Sequence, residues 1–135
     1  MADQALQLMQ SVQAALEAGM SLTWRATRLE TPTYPVGYLN ITSSTPIRGH
    51  GYYAERHRGV VSVWTKATKE TAASPVQAFT LAKQAQQILS AAVLSTDDLT
   101  VLQFSCEDFT SQNPDGLTWG RSFIFQSVTQ EAPNG

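Results

Sequence analysis

The residues of this chain best suited to surface chemistry lie close together: Arg48, Tyr52, Tyr53, Arg56 and Arg58, with His50 and His57 among them. Guanidinium forks and amphipathic phenol rings dominate protein contacts, so the cluster reads first as a docking surface. A plain solvated loop is the second reading. Nucleic acid is the third, and so few charges hold a phosphate backbone only weakly at physiological salt. The two histidines and Cys106 can in principle ligate a metal, yet their spacing fits no helical or finger pattern, and no metal site is expected.

Catalytic patterns are missing. Cys106 alternates with Phe104 along a strand pattern, where burial is expected, rather than opening a helix that would stabilise a thiolate. No serine stands in a strand-turn-helix elbow. Glu107 and Asp108 are adjacent, so on a strand they point to opposite faces and cannot share a proton as a dyad does. Gly49, Gly51 and Gly59 lack the strand before and helix after that give a phosphate-binding loop its mechanism. The expectation is a protein with no catalytic residue, no cofactor and no metal.

The elements that carry these residues are legible from spacing. Ala5, Leu8, Met9, Val12, Ala15 and Leu16 follow the three-and-four rhythm of one helix face, with Asp3 placed to cap the start and Gly19 to end it in a left-handed conformation. Leu22, Trp24 and Ala26 alternate with polar residues as a half-buried strand, and Val36 to Ile41 forms another after Pro35. The stretch 43–59 holds Pro46, three glycines and three arginines, and predicts a long mobile loop. Val60, Val61, Val63 and Trp64 then predict a central strand covered on both faces.

Ser74, Pro75 and Gln77 sit at the capping, first-turn and reciprocal-capping positions of a second helix. Its stripe is Ala78, Leu81, Ala82, Ala85, Ile88, Leu89 and Ala92, and the alanines predict close packing. Val76 and Phe79 fall off the stripe, to meet either a partner subunit or the edge of the same core. Leu99 to Phe109 and Leu117 to Phe125 are strand patterns joined by a turn: Pro114 presets φ, Asp115 bonds its own backbone, and Gly116 takes the positive φ. The fold class is therefore α+β, a mainly antiparallel sheet of about five strands packed against two helices, with a long loop or hairpin arm.

At 135 residues the chain predicts one domain, 1–135, with 131–135 as a frayed tail. A charged fraction of 15% and a hydrophobic fraction of 42% fit a folded globular protein, and no apolar run reaches the length of a membrane span. No secretion signal is read at the start, and a lone cysteine suits a reducing compartment. Net charge is -2, which does not suit a dedicated nucleic-acid binder. Its distribution is uneven. Eight of the nine Lys and Arg precede Asp97, whereas six of the eleven Asp and Glu lie from Asp97 onward. If the two parts form opposite surfaces, copies can meet basic side to acidic side, as in a head-to-tail ring.

Together these pieces resemble the tail terminator proteins of long-tailed bacteriophages and gene transfer agents, also called tail completion or head-to-tail joining proteins. The resemblance spans nearly the whole chain and rests on the first helix, Tyr34-Pro35-Val36-Gly37-Tyr38-Leu39, Gly59-Val60-Val61-Ser62-Val63-Trp64-Thr65-Lys66, the Ala-rich second helix and Asn113-Pro114-Asp115-Gly116-Leu117-Thr118-Trp119-Gly120. It implies a homo-hexameric ring that caps the tail tube, ends its polymerisation and offers the head its docking surface. The implied partners are further copies, the major tail tube protein and a head-completion or neck protein, with DNA only passing through the lumen and no membrane. The implied location is the head-proximal end of the virion tail, reached from the host cytoplasm. By analogy the 43–59 stretch is the docking arm. The competing reading is a dimeric α+β domain binding a small ligand, with Trp24, Trp64 and Trp119 lining its pocket.

Overall fold

In the computed structural model, residues 3–26, 34–49, 52–67 and 75–131 are described. The elements run α1 (Gln4–Gly19), β1 (Thr23–Arg25), β2 (Val36–Gly49), β3 (Tyr52–Lys66), α2 (Pro75–Ala91), β4 (Leu99–Gln112) and β5 (Thr118–Glu131). One five-stranded sheet has the order β1-β2-β3-β5-β4. Among the described strands only the β1-β2 pair is parallel. This is the expected α+β class.

Asp3 starts α1 as its spacing predicts, accepting the free N–H groups of Ala5 and Leu6 at 3.0 and 3.3 Å through one carboxylate oxygen. The end of α1 differs from expectation. Met20, in extended conformation, is the C-cap, and Gly19 is the last helical residue. Its value lies in what it lacks, because a Cβ there would come 2.7 Å from Ile88 Cδ1 of α2. The two helices thus approach across a glycine, while Ala78, Ala82 and Ala85 bring α2 down onto the sheet. Ser74, the expected cap of α2, lies outside the described residues; Pro75 opens that helix as anticipated.

Both helices cover one face of the sheet. Leu8, Val12 and Leu16 from α1 and Ala82, Ala85 and Leu89 from α2 meet Leu39, Val61, Val63, Phe123 and Phe125 in a single core. On β4, Phe104 stacks on Phe125 at a centroid distance of 5.2 Å, and Phe109 meets Phe123 at 5.4 Å with the rings tilted by 46°. Cys106 packs at the margin of this core, half-buried rather than sealed. Burial pushes its thiol up to about 11, so it stays protonated and unreactive at neutral pH.

Alternation sends Trp64, Val60, Arg58 and Arg56 to the other face, which no described residue covers. The central position of β3 is as expected. The expected cover on both faces is not found among the described residues: both helices lie on the Val61 and Val63 side, and Val60 and Trp64 are only half-buried. The β4-β5 turn follows its chemistry. Gly116 has φ 76°, and Asp115 accepts the backbone N–H of Leu117 and Thr118 at 2.9 and 2.8 Å and the Thr118 hydroxyl at 3.1 Å. Those hydrogen bonds hold the Asp115 carboxyl below its usual range.

Candidate functional site

The stretch 43–59, read as a loop, is instead the distal half of a long hairpin. Its residues alternate Ser, Thr and charged groups between faces, and a strand of that composition has no apolar stripe to betray it. Ser43 pairs with Arg58, Thr45 with Arg56 and Ile47 with Ala54, after a bulge between Ile41 and Ser43. β3 continues to pair with β5 out to Ala54 opposite Gln130. Only Arg48, Gly49, Tyr52 and Tyr53 extend the β2-β3 pairing past that row. The expected arm is therefore mostly sheet, with a short tip.

This placement divides the predicted cluster. Arg56 and Arg58 are exposed two residues apart on the uncovered face, flanked by Thr45 and Ser43 on one side and Val128 and Gln126 on the other. Tyr53 lies at the tip and is exposed. Arg48 and Tyr52 are paired with Tyr53 and Gly49 through the backbone, and their side chains lie outside the described set, as do His50 and the Asp108 side chain. Phe79 is elsewhere altogether, on α2 against the helix-bearing side. The guanidinium of Arg121 lies between the Phe79 and Phe109 rings, 4.4 and 5.0 Å from their centroids, and donates to Ser111 Oγ at 2.7 Å. Phe79 keeps 41% of its surface exposed, so it carries the Arg121 guanidinium and still faces outward.

His57 proves to be structural. It is fully buried on the helix side of β3. Thr129 Oγ1 donates to Gln4 Oε1 at 2.7 Å and therefore accepts from His57 Nε2 at 2.8 Å; the other ring nitrogen accepts from Ser44 Oγ at 2.7 Å. One ring thus joins β2, β3 and β5 to the start of α1. Burial lowers its pKa, with Asp3 pulling weakly the other way, so the ring is neutral. Glu55 Oε1 stands 3.8 Å from Nε2, but a neutral imidazole makes this a dipolar contact rather than an ion pair. Burial, then Asp3, raises the pKa of Glu55. The sequence offered no sign of this role, since nothing near His57 marks Gln4 or Thr129 as neighbours.

The three tryptophans do not share a pocket. Trp24 lies over Gly37 on the helix-bearing side, where a Cβ would stand 2.3 Å from its ring, whereas Trp64 covers Gly120 on the opposite face. Among the described residues no three metal-ligating side chains come together, and no helix is long and apolar enough to cross a membrane.

The fold has a counterpart among solved structures. A chain of the virion of a native gene transfer agent particle superposes with a TM-score of 0.52 at 19% identity, covering 93% of this chain and 95% of that one. At this identity the likeness is one of fold. No protein-family model matches the sequence, and no curated protein does either.

Proposed function

We propose that this protein is a structural component of a phage-like virion, and within it a tail terminator. The observation that carries the reading is the end-to-end likeness of fold to a chain of a gene transfer agent virion, together with the sequence resemblance to terminators along the same length. A sheet with one face that no described residue covers, two exposed arginines on that face and an exposed tyrosine at the hairpin tip suits adhesion rather than turnover. In this role copies form a homo-hexameric ring on the last ring of the tail tube. Occupying that end removes the template on which the next tube subunit would add. The opposite side of the ring then receives a head-completion or neck protein, and DNA crosses the lumen without being held. The work is steric and needs no cofactor.

The test is reconstitution. Purified protein is added to polymerising tail tube subunits, and tube lengths and ends are measured by negative-stain electron microscopy. Capped ends and shorter tubes in proportion to added protein are expected. Tube growth unchanged at molar excess overturns the assignment.

A further inference from the structure

Two sheet edges are open among the described residues, and they match. β1 covers β2 only along Val36 to Tyr38, leaving Leu39 to Gly49 without an outer neighbour. At the far side no described strand lies beyond β4; Thr96 and Ser95 take the Leu99 carbonyl and the Val101 N–H at its start, and the edge is open from Gln103 onward among the described residues. Following the pairing across the sheet, Ser43 is level with Arg58, Gln126 and Ser105, while Thr45 is level with Arg56, Val128 and Gln103. The open part of β2 and the regular part of β4, Gln103 to Glu107 between its two bulges, therefore occupy the same rows. β2 and β4 also run in opposite directions, because three antiparallel steps separate them.

The edges differ in chemistry. The β1 to β3 half carries Arg25, Arg48, Arg56, Arg58 and Lys66 against Glu55 alone, whereas β4 and β5 carry Glu107, Asp108 and Glu131 against Arg121. Apolar surface is exposed at both. Leu6 is 53% exposed beside a groove of about 420 Å³ that α1 forms with Ile41 to Ser44 of the open edge. On the β4 side Leu102 and Val93 are 56% and 89% exposed.

We infer that β4 of one copy adds to the open half of β2 in the next, making one antiparallel sheet that runs from subunit to subunit. A contact between unlike edges is head-to-tail, the kind of contact from which a ring is built when its rotation closes, whereas a two-fold contact would set acidic β4 against acidic β4, or basic half against basic half. Backbone hydrogen bonds supply adhesion, charge selects the partner edge, and the helices stay on one side of the continuous sheet. Pro46, which has no N–H to give, limits the seam near the hairpin tip. This rests on the terminator reading and specifies how its ring is joined.

Engineered disulfides test the seam in the full chain. In a Cys106→Ala background, Ser43→Cys is combined with Ser105→Cys; both positions are exposed, share a row and lie on the uncovered face. Facing residues of an antiparallel pair lie about 4.5 to 5.5 Å apart at Cα, within reach of a disulfide. Oxidation is expected to give a covalent ladder beyond the dimer from the pair and none from either single variant. Covalent dimer from Ser105→Cys alone, or from Ser43→Cys alone, overturns the inference by revealing a two-fold contact. So does a ring-sized particle in light scattering that links neither through this pair nor through Thr45→Cys or Asn40→Cys with Ser105→Cys; the terminator reading survives that result. Protein that stays monomeric even with tail tube subunits overturns both.

Discussion

At Gly116 backbone and side-chain effects separate cleanly. Its φ of 76° lies in the left-handed region, yet a Cβ there would meet nothing within 4 Å. Gly116→Val is therefore expected to cost about 2 kcal/mol through the backbone alone, and Gly116→Asn distinctly less, read as shifts in urea midpoint at constant slope. Equal losses from the two would contradict the left-handed assignment. His57 gives a pH signature. Its folded pKa is below the ordinary 6.5, so the unfolded chain takes up the proton first and stability falls as pH drops below about 6.5 toward the folded value. Glu55 has the opposite sign in a lower window: its folded pKa is above 4.5, so the fold binds that proton first and gains as pH falls through the range. Chemical denaturation between pH 7.5 and 5 is expected to show declining stability, with a flatter profile in His57→Gln. An unchanged slope in that variant would place the proton uptake elsewhere.

Between elements, the recurring device is an aromatic ring laid over a glycine on a paired strand. Trp24 covers Gly37, Phe125 covers Gly59, and Trp64 covers Gly120. At Gly59 an added Cβ would meet not only the Phe125 ring but the backbone oxygen of Asn40 at 2.7 Å, which cannot swing aside. Gly59→Ala should then cost roughly 1 to 3 kcal/mol, and Gly19→Ala less, because the atom it meets is the free end of Ile88. Thermal unfolding of the two variants side by side checks the order, and a larger loss at Gly19 would contradict it. These contacts also mark where the sequence is readable. The helices, the Pro-Asp-Gly turn and the apolar strands declare themselves through periodicity and caps that act within a few residues. The distal hairpin does not, because Ser43, Thr45, Arg56 and Arg58 alternate polar with polar and are held by pairing with a distant β5. The same distance hides the His57 network, whose Gln4 and Thr129 are 125 residues apart in sequence. Of the predicted site, Arg56, Arg58 and Tyr53 are exposed as anticipated, whereas Phe79 belongs to the other side of the molecule.

For the whole molecule, the consequential asymmetry is that chain order has become surface polarity. Strands from the basic part of the sequence form one half of the sheet, and strands from the acidic part form the other. Arg56 and Arg58 make no ion pair among the described residues and stand exposed on the uncovered face, so their charges contribute little to folding. Replacing both with Glu should leave the melting transition within about 0.5 kcal/mol of the parent, the usual range for surface changes. Assembly should respond differently. Two reversals take the basic half from a net charge of +4 to zero, which removes its attraction for an acidic neighbour. Salt already screens that attraction in the parent, because the Debye length at 0.15 M is about 8 Å. The expected outcome is a ring population, measured by sedimentation velocity, that is smaller than the parent's at low ionic strength and nearly independent of salt. The parent, with its charges intact, should weaken as salt is raised. Normal rings from the double variant at every salt concentration would mean that the polarity of the sheet takes no part in joining subunits.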